Sequence, residues 1–300
     1  MTTVKVFAPA KVNLTLHITG QRGDGYHLID SLVSFATVGD RLTFRNAEDW
    51  SLVVDGPESL NVPDDGSNLA MMAAGLICDG GALTLQKNLP TASGIGGGSA
   101  DAGAALRAAM AANPRLVNVD WNAPPRDDMT SLADRVLALG ADVPMCLLSM
   151  PARVRGIGDD IAFVDLPRLP MLLVNPRVPV PTGPVFQALA SKVNDPMDSL
   201  PTDLTAGFLI NWLHQQRNDL ETPALKIAPA INDVLDALRR MDGCGLARMS
   251  GSGATCFGLF DTDASAQAAG HAIQKAYPDW WLAGGYLGDQ SQLSAPKALS

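Results

Sequence analysis

The sequence predicts an α+β protein with two domains. Its 300 residues are enough for two hydrophobic cores. Apolar residues make up 47% of the chain and charged residues 18%, which is ordinary for a globular protein. Strand-like and helix-like segments alternate throughout, and their rhythm changes between residues 156 and 170. We therefore expect one domain over 1–160, a second over 161–289, and a mobile tail over 290–300.

The first half is expected to contain strands at 2–8, 12–18, 32–38, 41–55 and 82–89, and helices at 68–78 and from the following glycine-rich stretch to residue 112. VNLTLHI alternates apolar and polar residues, which is typical of a half-buried strand. Pro9 is expected to break the first strand, because proline cannot donate a ladder hydrogen bond. Gly39 and Asp40 are expected to form a turn.

The second half is expected to contain a strand hairpin at 151–165, strands at 170–175, 246–249, 256–260 and 280–287, and helices at 231–241 and 263–277. PMLLVN is a continuous apolar run of the kind found in central strands. Apolar residues at helical spacing precede Gly243, which is expected to end that helix.

Charge and cysteine content exclude several function classes. The net charge of −9 argues against a nucleic-acid partner, because phosphates would be repelled. No apolar run approaches the 18 residues of a membrane helix, and the N-terminus lacks a signal-peptide core. The four cysteines lie far apart and the four histidines show no metal-binding spacing. We expect a cytoplasmic protein with no membrane partner.

The stretch PTASGIGGGSADAGAA places four glycines in five positions, just before a predicted helix. Backbone amides at a helix N-terminus lack partners within the helix, and glycines let a phosphate approach them closely. The pattern predicts a cradle for nucleotide phosphates; the alternative is a flexible turn. Neither GxxxxGK[ST] nor a complete GxGxxG is present, since Ser99 stands in place of the third glycine. Such a cradle needs a cation from elsewhere.

Lys11 and Asp142 are the candidates for acid–base chemistry. Asp142 lies in an apolar neighbourhood just before Val143 and Pro144, where it would cap a helix or accept a hydrogen bond from a substrate hydroxyl. Lys11 precedes an amphipathic strand, and the alternative for it is a solvated surface position.

Two further segments are ambiguous. The loop DGYH at 24–27 offers an aromatic ring and an imidazole for stacking on a flat ligand, or for ordinary packing. MSGSGATCF at 249–257 would be a second backbone approach to phosphate or a tight connection between strands.

These segments, taken in order, resemble the GHMP kinase superfamily. The resemblance rests on PTASGIGGGSADA at 90–102, PAKVNLTLHITGQRGDGYHL at 9–28, LGADVP at 139–144, SGSGAT at 250–255, NDLE at 218–221, and Asn175, Pro176 and Thr182 in an NPxxxxxT pattern. PAKxNL together with DGYH separates this chain from the mevalonate, homoserine and galactose kinases.

The resemblance implies the two-domain GHMP kinase fold. This fold has an N-terminal nucleotide domain like domain 2 of ribosomal protein S5 and a C-terminal ferredoxin-like α/β sandwich. It also implies phosphorylation, by ATP with Mg²⁺, of the 2-hydroxyl of a methylerythritol linked to cytidine diphosphate, on the non-mevalonate route to isoprenoids. The alternatives are a mevalonate- or homoserine-type kinase and a non-catalytic nucleotide-binding relative. The expected oligomeric state is a monomer or a homodimer.

The resemblance also assigns roles to individual residues. Lys11 and Asp142 fall on catalytic positions. The cofactor positions are Asn68, Pro90, Gly94, Ile95, Gly96, Gly97, Gly98, Ser99 and Ala100, and the substrate positions are Asn13, Tyr26, His27, Thr182 and Phe186. The metal ligands stay open, with Ser99 and Asp101 as candidates.

The chain departs from the family pattern at a few positions. Ile95 replaces a leucine, Ala100 replaces a serine, and Gly103 replaces an alanine, which weakens a helix by about 1 kcal/mol. The proline- and asparagine-rich stretch 113–128 has no match.

Overall fold

The computed structural model of the chain describes residues 2–115, 130–202 and 204–299. The strands are β1 (Thr3–Asn13), β2 (His17–Gln21), β3 (His27–Arg45), β4 (Ser51–Asp55), β5 (Ala82–Gln86), β6 (Ala152–Gly156), β7 (Asp160–Phe163), β8 (Leu169–Asn175), β9 (Cys244–Met249), β10 (Cys256–Phe260), β11 (Trp281–Gly288) and β12 (Lys297–Leu299). The helices are α1 (Leu69–Ala74), α2 (Gly97–Ala112), α3 (Thr130–Leu139), α4 (Val143–Leu148), α5 (Thr182–Gln187), α6 (Ala206–His214), α7 (Glu221–Ile227), α8 (Ala230–Arg239) and α9 (Asp263–Ala276).

The described strands form one mixed sheet. Its main path runs β12-β1-β3-β11-β8-β10-β9, and β2, β4, β5, β6 and β7 extend it on the side of β3. The β4–β5 pair is parallel and the other strand pairs are antiparallel. The 19-residue strand β3 pairs with β1, β2, β5, β6 and β11. It therefore joins the two halves of the chain.

Helix α2 packs on the first half of the sheet through an alanine-rich surface. Six of its alanines have no exposed surface: Ala100, Ala102, Ala104, Ala105, Ala108 and Ala109. Small side chains let a helix approach its neighbours closely, and α2 contacts α1, α4, β1 and β3. The helix that begins at the glycine-rich loop is thereby fixed in the N-terminal core.

Two predictions about the first strands are wrong. Strand β1 continues through Pro9, with a shift of register between Pro9 and Lys11. Gly39 and Asp40 lie inside β3, with Gly39 opposite Pro9. A β carbon on Gly39 would lie 2.1 Å from the carbonyl oxygen of Ala8. This glycine therefore serves the close approach of two strands, not a turn.

The second half follows the predicted order of strands and helices. The hairpin, the central strand β8, helices α8 and α9, and strands β9 to β11 are all present. Helices α5, α6 and α7 were not predicted. In the first half, α1 ends four residues before the expected Cys78. Of the unmatched stretch 113–128, residues 116–128 lie outside the described residues.

Hydrophobic packing crosses the expected domain boundary near residue 160. One buried cluster lies within residues 4–154, whereas a second joins Leu16 and Ile18 to the C-terminal half. A third cluster also mixes residues of both halves. The division at residue 160 stays a prediction.

The last residues, for which the sequence predicts a mobile tail, are held against the sheet. Strand β12 pairs with Thr3–Lys5 of β1. The side chain of Gln290 donates to the carbonyl of Phe35, and its backbone N–H donates to the carbonyl of Ser149. This segment therefore packs beside the elements that carry the site.

Candidate functional site

The glycine-rich loop ends in a helix N-terminus without a side-chain cap. Gly94 and Gly96 both have left-handed φ values, +75° and +64°, and Gly96 occupies the N-cap position of α2. A glycine here offers no side-chain oxygen, so the cap residue of α2 leaves the first amides of the helix unbonded, and the described residues show no side-chain cap for them. These amides and the helix dipole together favour an anion. Gly94 and residues 96–99 line a cavity of about 960 Å³.

The loop between β9 and β10 supports the glycine-rich loop from behind. The hydroxyl of Ser250 donates to the carbonyl of Gly94 over 2.9 Å, and the backbone N–H of Asn13 donates to Ser250 Oγ over 3.0 Å. A β carbon on Gly94 would lie 2.4 Å from the Ser250 carbonyl oxygen. Gly251 and Ser252 also line the cavity. The segment therefore connects two strands and also reaches the site.

Lys11 and Asp142 form an ion pair beside this helix terminus. Lys11 Nζ donates to Asp142 Oδ2 over 2.7 Å. The lysine side chain is 7% exposed and the carboxylate 38%, so the pair opens to the cavity on the carboxylate side. A β carbon on Gly96 would lie 3.2 Å from Lys11 Cβ, which places the lysine against the loop. Lys11 thus places a cation beside the glycine-rich loop.

Asp142 stands at the N-cap position of α4, but its side chain makes no capping bond. Its Oδ2 accepts from Lys11 instead. Pro144 lies in the first turn, where its missing N–H costs nothing. Asp142 therefore occupies the predicted N-cap position, but its side chain does not form the predicted hydrogen bond to the helix. The carboxylate remains available to a substrate.

Arg107 connects the elements that carry the ion pair. It lies fully buried in α2 and donates to the carbonyls of Cys146 and Leu147 in α4, over 2.7 and 2.8 Å. It also donates to Phe7 of β1 and to Ser294 of the C-terminal segment. Burial lowers its pKa to about 10. The only sequence signal for this residue is an arginine in the apolar middle of a helix.

A second buried cation lies beneath the start of α2. Lys87 Nζ donates to Asp101 Oδ2 over 2.7 Å and also to Asp40. Burial lowers the pKa of Lys87, but the two carboxylates raise it overall. Asp101 Oδ1 has no hydrogen-bond partner among the described residues. Asp101 was a candidate metal ligand, and the structure gives it an ion pair; the described residues contain no cluster of three metal-ligating side chains.

The far end of the cavity carries a tilted aromatic pair. The rings of His27 and Phe186 have centroids 4.8 Å apart and an interplanar angle of 33°. Burial, with a smaller effect from Lys192, lowers the pKa of His27. Its Nε2 is buried without a hydrogen-bond partner among the described residues. Tyr26 lies beside them, 62% exposed. A flat polar ring would find stacking surfaces and an unpaired nitrogen here.

Asn13 and Thr182 also face this cavity. Asn13 Nδ2 donates to Ser31 Oγ over 2.9 Å, and Asn13 Oδ1 has no partner among the described residues. Thr182 Oγ1 lies 3.0 Å from Ser252 Oγ. The structure thus brings the predicted catalytic and substrate residues together around one cavity, although they come from both halves of the chain.

Several predicted nucleotide-binding residues are placed differently. Asn68 and Pro90 line a second cavity of about 320 Å³, which adjoins Gly97 and Gly98. The Asn68 side chain is already used, since its Oδ1 accepts from Ala70 N at the start of α1 and its Nδ2 donates to Pro63 O. Ile95 and Ala100 are fully buried. They support the loop from the core.

Family profiles match both halves of the chain. The GHMP kinases N terminal domain matches residues 68–150, and the GHMP kinases C terminal domain matches residues 205–279. The N-terminal match contains the glycine-rich loop and Asp142. No helix among the described residues has the length and apolar character needed to span a bilayer.

Two relatives and one solved structure with the same kinase name match this chain over nearly their full length. A 4-diphosphocytidyl-2-C-methyl-D-erythritol kinase of Roseobacter denitrificans is 49% identical, covering 98% of this chain and 97% of the relative. One from Cereibacter sphaeroides is 51% identical over 93% and 97%. A crystal structure of 4-(cytidine 5′-diphospho)-2C-methyl-D-erythritol kinase superimposes with a TM-score of 0.72 at 32% identity, covering 95% and 99%. The expected GHMP kinase fold is thereby confirmed.

Proposed function

The chain belongs to the GHMP kinases and, within them, to the 4-diphosphocytidyl-2-C-methyl-D-erythritol kinases, and we propose how its site performs that phosphorylation. The reaction is transfer of the γ-phosphoryl group of ATP to the 2-hydroxyl of the methylerythritol part, a step towards isoprenoid precursors. The observation that carries the mechanism is the Lys11–Asp142 ion pair at an uncapped helix N-terminus in the large cavity.

ATP places its phosphates against the amides of residues 94–99. The uncapped start of α2, the left-handed glycines and the adjacent lysine support this placement. The second cavity adjoins the same loop and is the site proposed for the nucleoside end of ATP. Asn68 shapes this cavity through its bonds to α1 and Pro63.

Mg²⁺ accompanies the phosphates and neutralises their charge when it is bound. Magnesium is usually held by substrate phosphates with one or two protein oxygens. Ser99, at the start of α2 and on the cavity wall, fits such a position. Asp101 fits poorly, because one of its oxygens is bound to Lys87 and the side chain is buried.

Asp142 orients the acceptor hydroxyl and takes its proton. Its carboxylate is exposed to the cavity, while Lys11 fixes it from the protein side. Lys11 also stabilises negative charge on the transferring group. Because phosphoryl transfer has a loose transition state, positioning and charge stabilisation matter more than a strong base. Asn13 Oδ1, which lacks a partner among the described residues, is available to a substrate hydroxyl.

The cytosine ring is held at the far end by Tyr26, His27 and Phe186. The lowered pKa of His27 favours the neutral imidazole, which can exchange a hydrogen bond with a base edge. Thr182 contributes a hydroxyl to the same wall. Binding energy from this remote end holds a small polyol in one attack geometry.

A substrate panel tests the proposal. ATP consumption is measured with the cytidylyl substrate, mevalonate, homoserine and galactose at equal concentrations. We expect turnover with the first and background rates with the others. Preference for any of the other three would contradict the substrate assignment, and ATP binding without turnover on all four would favour a non-catalytic nucleotide-binding relative.

The enzyme is proposed to act in the cytoplasm, where its ATP is found, as a monomer or homodimer.

A further inference from the structure

Among the described residues that line the large cavity, Lys192 is a cation that the mechanism leaves unused. On the basis of the proposed function, we propose that Lys192 is a specificity-determining residue that binds the diphosphate linking cytidine to methylerythritol. Its ammonium group makes the site bind a nucleoside diphosphate more tightly than the corresponding nucleoside. The argument rests on which charges the cavity presents and on where this lysine lies.

The other charges around the cavity are compensated. Lys11 is paired with Asp142 over 2.7 Å. Asp24 on the cavity wall is paired with Arg22 over 2.8 Å. Lys192 is the lining cation with no carboxylate of the described residues within ion-pair distance. A ligand with two phosphate charges therefore meets one uncompensated positive group on this wall.

A neutral partner holds Lys192 towards the cavity. Its Nζ donates to Gln21 Oε1 over 3.1 Å, and Gln21 Nε2 donates to the carbonyl of Gly25 over 3.0 Å. Gln21 ends β2, and Gly25 lies in the loop that carries Tyr26 and leads to His27 at the start of β3. Because an amide oxygen does not cancel the ammonium charge, the lysine keeps its attraction for an anion. It is held beside the cytosine end of the site.

The position of Lys192 agrees with the order of groups in the substrate. With the cytosine proposed at His27 and Phe186 and the reacting hydroxyl at Asp142, the diphosphate would follow the cytidine and lie between these two ends of the substrate. Lys192 is close enough to His27 to lower the pKa of that imidazole. The glycine-rich loop, the other anion site of the cavity, is committed to ATP. A single flexible lysine beside the cytosine end is left for the substrate phosphates.

A nucleotide series tests the assignment without relying on turnover. Dissociation constants are measured by calorimetry for cytidine, CMP and CDP, with wild type, Lys192→Met, Lys192→Arg and a control on a distant exposed lysine, Lys275→Met. We expect wild type and the control to bind CDP more tightly than cytidine by about tenfold, as for one charge-assisted hydrogen bond to phosphate. Lys192→Met should lose most of this preference while its affinity for cytidine is unchanged, and Lys192→Arg should restore it.

A Lys192→Met protein that keeps the full preference for CDP would overturn the inference, as would a wild type that binds cytidine and CDP equally. Steady-state kinetics give the second readout: KM for the cytidylyl substrate rises about tenfold in Lys192→Met, whereas kcat and KM for ATP stay the same. These measurements distinguish a failure of the Lys192 assignment from a failure of the proposed kinase function. A wild type that prefers CDP but turns over no substrate contradicts the kinase assignment alone.

Discussion

Lys11 and Asp142 are 131 positions apart in the sequence, yet Lys11 Nζ lies 2.7 Å from Asp142 Oδ2. The lysine comes from β1 and the aspartate from the residue before α4, so the pair depends on how α2 packs between these elements. It places a cation beside the glycine-rich loop, which we propose binds phosphate, and leaves the carboxylate 38% exposed on the cavity side.

Replacing the lysine tests its electrostatic role. Lys11→Met should lower kcat by about 10² or more, because the charge on the transferring group loses a preorganised donor. Stability should change little, since the carboxylate left behind is 38% exposed and can be hydrated. Kinetics and thermal denaturation on the same preparations check both statements. A kcat within about threefold of wild type would show that the lysine is not part of the chemistry.

Substitution by alanine should change the free energy of unfolding in opposite directions at two glycines inside helices, Gly103 and Gly270. A β carbon on Gly103 would lie 2.8 Å from the carbonyl oxygen of Cys146, so Gly103→Ala should push α2 away from α4 and cost about 1–3 kcal/mol. In α9, a β carbon on Gly270 meets only Leu172 Cδ1 at 3.5 Å, so Gly270→Ala should gain about 0.5–1 kcal/mol. Urea unfolding measures both. A stabilised Gly103→Ala protein would contradict the close packing of the two helices.

Two buried arginines provide another matched pair. Arg107→Met leaves carbonyls of α4 and β1 without a donor and should destabilise the fold by about 3 kcal/mol. Arg248→Met removes three similar bonds, to the carbonyls of Leu14, Leu213 and Gln216. Both variants should unfold at lower urea, but only Arg107→Met should also lower kcat at a temperature where it is folded. Equal kcat values in the two variants would limit Arg107 to a structural role.

His17 predicts how stability depends on pH. Burial, and then the positive charge of Arg217, lowers its pKa below the ordinary 6.5. Its Nε2 accepts from Arg217 N, which requires an unprotonated nitrogen. The unfolded chain therefore binds this proton more readily, and stability falls as the pH drops below 6.5, by at most about 1.4 kcal/mol per pH unit for one group.

The measurement is urea unfolding between about pH 7.5 and about pH 5. His17→Gln should be less stable at the higher pH but should lose less on acidification than wild type. The exposed His271→Gln serves as the control and should follow the wild-type slope. An unchanged slope in His17→Gln would show that another group causes the loss of stability.

The sequence predicts the features that depend on local chemistry. A glycine run before an alanine-rich stretch specifies an uncapped helix start wherever that helix packs, and α2 ends at Ala112 as expected. Asp142 before Val143 and Pro144 specifies a helix entry in the same way. Features that depend on distant segments were missed. The sequence around Gly39 is typical of a turn. The glycine is needed there because its backbone approaches the carbonyl of Ala8, which lies 31 residues away in the sequence.

Buried charges show the same limit. The partners of Arg107 are backbone carbonyls of Phe7, Cys146, Leu147 and Ser294, and backbone groups carry no sequence signal. Lys87 directly follows β5, and nothing in the surrounding sequence indicates a buried ion pair. The fold brings Asp40 and Asp101 to it from distant segments. The C-terminal segment is polar enough to predict a mobile tail, and its order comes from pairing with β1.

The most direct test of the mechanism is kcat for Asp142→Asn with the cytidylyl substrate and ATP, measured on protein whose fold is checked by circular dichroism. Asparagine keeps the shape of the side chain and removes its ability to accept the proton. A group of this kind typically contributes 10²–10⁴ in rate, so we predict a fall in kcat of at least about 10² with little change in KM for ATP. A fall of less than about tenfold would contradict the assignment of Asp142 as the catalytic base.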